Sequence, residues 1–405
     1  MSKYILVCLP CLNEYENLPK LLRYFKDQTY RNFKLFICIN QPDDWWDNPD
    51  KIVQCLDNER SLAYLNSLND IDIHIIDKSS RGKGWTGKKR GVGWARKLIM
   101  DEAANQGSAD DILVSVDADT EYPYTYFQSL IDIFKAGQLF SAHSNPYYHQ
   151  LTGRLAEDQA ILRYEIYMRI YAINMILIDN PYAFSAVGSA MACSVSQYQK
   201  MGGISPKSSG EDFYFLQHMR KNAPLSQYNE VRVYPQARFS DRVNFGTGPA
   251  MIKGNSGDWS SYPFYIPELF LKIKETFYGF QQLYERDIEL PMSNFLKEQL
   301  KKETLWEALR KNHKTNTKFV RACTELVDGL RILQFLKESH AKYSLGDLED
   351  LKLNLFYFAK KDEDFHHFLI GFGDLRQVFS FEKMSKLRDE LTKLEYKYRM
   401  NRSIA

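Results

Sequence analysis

Apolar positions along the first part of the chain follow two alternating rhythms. Near-continuous runs at 4–9, 33–39 and 112–116 have the length and apolar content of buried parallel strands, and 71–76, where Asp72 and His74 alternate with isoleucines, reads as a further strand. Between them the apolar residues fall at helical spacing, as in Leu18, Leu21, Leu22 and Phe25, with Pro19 suited to a first turn. Helices are predicted over 18–28, 51–68 and 87–106. Strand–helix alternation of this kind implies an α/β domain, a mostly parallel sheet with helices on both faces. Further along, the pattern predicts a long amphipathic helix over 155–178, a strand over 186–194 with a small-residue entrance, and a helix over 213–220. A strand from 231 then leads into a loop rich in arginine and glycine.

The composition shifts near residue 261. Eleven of the 14 prolines and 16 of the 21 glycines lie at or before it, so the remainder reads as helical. Helices are predicted at 267–282, 293–310, 317–339, 346–360 and 381–400. A length of 405 residues exceeds what one core usually serves, and two domains are expected, 1–260 and 261–405.

Net charge of +2 argues against nucleic acid as a partner. Six scattered cysteines, three of them in apolar stretches, read as reduced thiols rather than a disulfide framework. The start of the chain runs straight into a strand without a signal-peptide pattern, and no stretch approaches 18 apolar residues. A cytoplasmic protein is therefore expected. The basic, amphipathic segment 383–402 suits a helix packed on its neighbours or on a second copy in a homodimer, and less well a peripheral contact with a membrane surface.

The chemistry concentrates where the run from Ile112 ends, in Asp117-Ala118-Asp119. Alternation along an extended strand sends both carboxylates to one side, at the carboxyl end of a strand where open α/β sheets place ligands. Two carboxylates so close repel, and a hard divalent cation shared with substrate phosphates relieves them. An isolated Asp-x-Asp is more often an ordinary acidic turn. Two further motifs raise its standing: Leu9-Pro10-Cys11-Leu12-Asn13-Glu14 after the first strand, and Gly210-Glu211-Asp212 about ninety residues beyond. In this order and at these strand ends, residues 3–250 resemble the inverting glycosyltransferases of the family 2 type, with the GT-A fold.

The resemblance implies a role for each matching position. The loop with Pro10, Asn13 and Glu14 would wrap the nucleotide base and ribose. Asp43 and Asp44 are candidates to read the base, although Asn40, Gln41 and Pro42 interrupt the family's usual acidic turn. Arg81, Lys83 and Lys88, in a basic glycine-containing loop, would flank the pyrophosphate. Asp119 would ligate Mg2+ or Mn2+, with Asp117 on the ribose or the metal. Gly188 and Ser189 would leave room for the donor sugar. Asp212 would be the general base, Glu211 would position the acceptor or a neighbouring side chain, and Arg238 and Arg242 would pair with the diphosphate. The implied partners are a nucleotide-diphosphate sugar and a glycan or lipid-linked acceptor. A non-catalytic nucleotide-sugar-binding protein on the same fold is the alternative, although such a protein has no need of a base.

Overall fold

The computed structural model describes residues 3–135, 139–207, 210–240 and 246–404. The strands are β1 (Ile5–Cys11), β2 (Phe33–Asn40), β3 (Ile73–Lys78), β4 (Ile112–Ser115), β5 (Thr120–Glu121), β6 (Ala142–Ser144), β7 (Met191–Ser194), β8 (Leu225–Ser226) and β9 (Tyr234–Pro235). Among the described residues seven of them form one sheet in the order 3-2-1-4-7-6-8, and β5 pairs with β9 apart from it. The pairs β3–β2, β2–β1, β1–β4 and β6–β8 are parallel, and β7 runs antiparallel to both its neighbours. Residues Ile5 to Leu9 and Leu35 to Ile39 are all buried, so both faces of the sheet's centre are covered. That is why these strands read as continuous apolar runs rather than as alternation.

The helices of this part are α1 (Leu18–Lys26), α2 (Ile52–Asn66), α3 (Val92–Gln106), α4 (Tyr126–Ile133), α5 (Leu155–Leu177), α6 (Val195–Lys200), α7 (Glu211–Asn222) and α8 (Thr247–Asn255). Helix α3 packs on β1, β2 and β4, which brings its inner face beneath the ends of the central strands. The mostly parallel α/β sheet is that expected from the strand–helix alternation and the resemblance, and the all-α region that follows is that expected from the composition shift near residue 261.

The chain divides into two compact units. One comprises Met1–Ile161, Phe184–Asp258 and Arg402–Ala405; the other comprises Leu162–Ala183 and Trp259–Asn401. The second unit is built from most of α5 and the helices α9 (Pro267–Leu283), α10 (Ser293–Leu300), α11 (Glu307–Asn312), α12 (Asn316–Leu326), α13 (Gly329–Tyr343), α14 (Asp347–Ala359), α15 (Glu363–Phe372) and α16 (Phe381–Ile404). A buried ionic network runs through it: Arg169 meets Glu165 at 2.6 Å and Glu395 at 2.8 Å, and Arg399 meets Glu395 at 2.6 Å. Among the described residues, no helix is long and apolar enough to cross a membrane.

Several elements differ from the sequence expectation. The strand from Ile112 stops at Ser115, where its pairing with Cys8 of β1 and Met191 of β7 runs out. Asp117 to Thr120 is a tight turn, closed by the Thr120 N–H donating to the Asp117 carbonyl at 3.3 Å. Strand alternation therefore does not set the directions of Asp117 and Asp119. The small-residue segment forms a short 3-10 turn, Gly188–Ala190, ahead of β7. The helix expected over 293–310 breaks at Lys301, whose φ of 53° is left-handed. That over 317–339 breaks at Asp328, whose carboxylate caps the next helix by accepting from Arg331 N–H.

Candidate active site

The site is built where β1 and β4 end together. Beyond β1 the chain turns through Asn13, which holds a left-handed φ of 57°, a conformation Asn tolerates better than most residues. Its backbone N–H donates to Asn58 of α2 at 2.9 Å. Glu14 follows with its side chain buried and accepts from Asn17 Nδ2 at 2.5 Å. Pro10 is still within β1, opposite Cys38 of β2.

Beneath the end of β4 lies a residue the sequence reading passed over. Arg96 projects from α3, and its side chain is 3% exposed. It donates to Asp117 at 3.0 Å, to Glu211 at 3.1 Å and to the Gly188 carbonyl at 3.2 Å, and it also hydrogen-bonds Ser115 Oγ. Ser115 in turn donates to the same Gly188 carbonyl at 2.7 Å. One guanidinium thus joins the end of β4, the turn before β7 and the first turn of α7. Burial alone would push its pKa down, but the negative charges of Asp117 and Glu211 outweigh that and raise it. Nothing in the local sequence distinguishes Arg96 from Arg90 or Lys97. Only the packing of α3 does.

Gly188 is required by this arrangement. A Cβ there would stand 2.9 Å from Arg96 Nη2 and 3.4 Å from Asp117 Oδ2. Ser189 is buried, and its carbonyl accepts from Tyr122 Oη at 3.1 Å; that hydroxyl also accepts from the Asp117 N–H at 3.1 Å. These two positions shape the wall behind Asp117.

Glu211 and Asp212 open α7, where negative charge is favoured by the helix dipole. Their environments differ. Glu211 is buried against Arg96. Asp212 is half-buried and accepts only from the Phe213 N–H, at 2.8 Å, with no ion pair to it among the described residues. Burial, then the charge of Glu211, and then that of Asp117 push its pKa up to about 7, against the opposing pull of the Phe213 N–H and Arg96. The placement of Glu211 suits it to holding Arg96 and, through Arg96, Asp117, rather than to meeting an acceptor.

Asp119 faces another arginine. Arg238, just past β9, contacts Asp119 Oδ2 at 2.6 Å and forms a forked pair with Glu14. Burial opposes the charge on Arg238, but Asp119 and then Glu14 raise its pKa. Arg242 lies outside the described residues.

The basic loop is tied to its neighbours by hydrogen bonds and ion pairs. Asp43 Oδ1 accepts from the backbone N–H groups of Gly82 at 2.8 Å and Gly84 at 3.2 Å, so it ties the two loops together. Arg81 pairs with Asp47 at 2.8 Å and Lys83 with Asp77 at 3.0 Å. Asp44 and Lys88 are exposed. Cys8 and Cys11 are buried and not joined in a disulfide, and burial pushes the Cys8 thiol far up, away from thiolate chemistry.

The residues suit a divalent cation, as Arg238 shows: its guanidinium already sits as a cation among oxygens of Asp119 and Glu14. Carboxylate oxygens are the hard donors that Mg2+ and Mn2+ prefer. Among the described residues no three His, Cys, Asp or Glu side chains converge as a ready-made cluster.

No family model matches the chain, and no curated protein does. Among solved structures, it is similar to residues 1–349 of TarS from S. aureus in complex with UDP-GlcNAc, over 84% of this chain and 92% of that one, at 10% identity and a TM-score of 0.40. It is similar to the mannosyltransferase PcManGT from Pyrobaculum calidifontis in complex with GDP-Man and Mn2+, over 97% and 86%, at 12% identity and a TM-score of 0.36. It is also similar to glucosyl-3-phosphoglycerate synthase from Mycobacterium tuberculosis, over 63% and 81%, at 12% identity and a TM-score of 0.35. The fold itself rests on the chain's own strand order.

Proposed function

We propose that the chain is a metal-dependent inverting glycosyltransferase of the family 2 type. It would move a sugar from a nucleoside-diphosphate donor, with UDP the first candidate, to a hydroxyl of a glycan or lipid-linked acceptor in cell-surface polysaccharide synthesis. The proposed setting is the cytoplasm or the inner face of the plasma membrane. The observation that carries this reading is the contrast among three carboxylates at one sheet end. Asp117 and Glu211 are ion-paired to Arg96, whereas Asp212 is not and has its pKa pushed up to about 7. A general base works best with a pKa near the operating pH, which suits Asp212 to that role.

In this mechanism Asp212 takes the proton from an acceptor hydroxyl. The freed oxygen attacks the anomeric carbon from the face opposite the departing nucleoside diphosphate, so the configuration inverts. Arg96 fixes Asp117 and Glu211 around the base and keeps their charge compensated. Glu14 and Asn13 line the loop assigned to the nucleoside. A bound Mg2+ or Mn2+ on Asp119 would neutralise charge on the leaving diphosphate.

The test is release of nucleoside diphosphate from UDP-, GDP- and dTDP-sugars in the presence of Mn2+, with water or added glycans as acceptor. Asp212→Asn should lower release about 10²–10⁴-fold while nucleotide binding persists. Wild-type turnover by Asp212→Asn would remove the base from the mechanism. A wild type that binds a nucleotide sugar and never turns it over would instead be a binding protein.

A further inference from the structure

We propose that Arg238 and a divalent cation are alternative partners of Asp119, and that donor binding transfers the Arg238 guanidinium from the carboxylates to the diphosphate. The inference rests on the nucleoside-diphosphate reading above and adds to it a competition that this reading does not require. Its basis is the position of one side chain. Arg238 Nη2 lies 2.6 Å from Asp119 Oδ2 and also contacts Glu14 Oε1, while Nη1 lies 3.3 Å from Glu14 Oε2. Glu14 belongs to the loop after β1 and Asp119 to the turn after β4, so the guanidinium bridges the two loops between which the diphosphate would enter. The Glu14 side chain is 5% exposed and that of Asp119 19%, so their attraction for a cation is only partly screened by water.

A second, independent observation points to the ligand. Arg238 Nε is buried and has no hydrogen-bond partner among the described residues. A buried N–H without an acceptor is costly, and such atoms in native proteins call for an explanation. The two carboxylates engage only the terminal nitrogens of the fork. An oxygen of a diphosphate is an acceptor that could reach the remaining N–H.

Charge balance gives the order of events. A cation arriving alone has to displace Arg238 from Asp119. Arriving together, the cation takes the place of the guanidinium on Asp119 and the diphosphate receives the released arginine. The arginine therefore makes cation binding depend on the donor.

Calorimetric titration of Mn2+ alone, and of UDP in the presence of Mn2+, into wild type, Arg238→Gln and Arg238→Lys tests this directly. Mn2+ alone should bind Arg238→Gln roughly tenfold or more tightly than wild type, the factor expected when one hydrogen bond to a charged group no longer competes. Arg238→Lys keeps the charge but not the fork, so it should show a smaller gain, and it reads the competition if Arg238→Gln does not fold. UDP with Mn2+ should bind both variants more weakly than wild type. Unchanged or weaker Mn2+ binding in both variants would overturn the proposal. If no nucleotide binds wild type, the donor reading fails, yet the Mn2+ arm still decides whether Arg238 withholds Asp119.

Discussion

Replacing Arg96 with methionine removes the one positive charge shared by Asp117 and Glu211. The two losses are unequal. The Glu211 pair is sealed, with side chains 3% and 5% exposed, whereas Asp117 is 36% exposed and partly solvated. Breaking a buried pair from one side costs about 3–5 kcal/mol, because the remaining charge stays buried without compensation. A pair with one solvated member is worth about 0–1 kcal/mol. Arg96→Met should therefore destabilise the α/β unit by about 4 kcal/mol at neutral pH, a fall in melting temperature of about 8–16 °C for a domain of this size. Urea unfolding followed by circular dichroism measures it, and a double-mutant cycle isolates the cause. Adding Glu211→Gln to Arg96→Met takes away the stranded charge, so the double variant should be more stable than Arg96→Met alone by about 1–3 kcal/mol. Arg96→Lys should fall between wild type and Arg96→Met, since lysine restores the charge but cannot reach Asp117, Glu211 and Gly188 together. A loss under about 1 kcal/mol for Arg96→Met, or a double variant no more stable than the single, would refute the view that Arg96 is the tie at this sheet end.

Three further outcomes follow from the same geometry. The pKa of Asp212 is raised from an ordinary 3.8 to about 7, so the fold favours its protonated form; that stabilisation is present at acid pH and is lost as pH rises from 3.8 through about 7. Asp212→Asn should therefore be more stable than wild type at pH 8 by about 1 kcal/mol or more, in urea unfolding, while wild-type transfer rises with pH up to about 8. A Cβ at Gly84 would stand 2.6 Å from Asp43 Cα and 2.7 Å from its N, so Gly84→Ala forces the two loops apart. It should weaken nucleotide binding by about tenfold or more in titration, at a cost of about 1–3 kcal/mol in stability. In the helical unit, Arg169→Met removes the cation that Glu165 and Glu395 share but leaves Arg399 on Glu395, so it should cost about 1–3 kcal/mol in thermal unfolding.

The sheet was legible because its strands are buried on both faces: Ile5 to Leu9 and Leu35 to Ile39 need apolar residues at every position, a strong signal. Helices were legible wherever one face is apolar, as in α1 and α14. Their breaks were harder, because a left-handed Lys301 and a capping Asp328 look like ordinary polar residues until the chain is seen to turn there. The carboxylates of the site showed in the sequence as short motifs at strand ends. Their pairing did not. Whether Asp43 reads a ligand or binds Gly82 and Gly84, and whether Glu211 or Asp212 is the freer acid, depends on where two distant arginines, Arg96 and Arg238, are delivered. Those deliveries are set by helix packing and by the β5–β9 pairing, which span more than a hundred residues of sequence.

The most direct test of the central claim is calorimetric titration of UDP, GDP and dTDP, each with Mn2+ and with EDTA, into wild type and Asp119→Ala. The account predicts that one nucleotide binds wild type with Mn2+ and that its affinity collapses with EDTA or in Asp119→Ala. Absence of binding by all three nucleotides under every condition would contradict the account at its root. Binding that ignored both Mn2+ and Asp119 would contradict the role given to the cation.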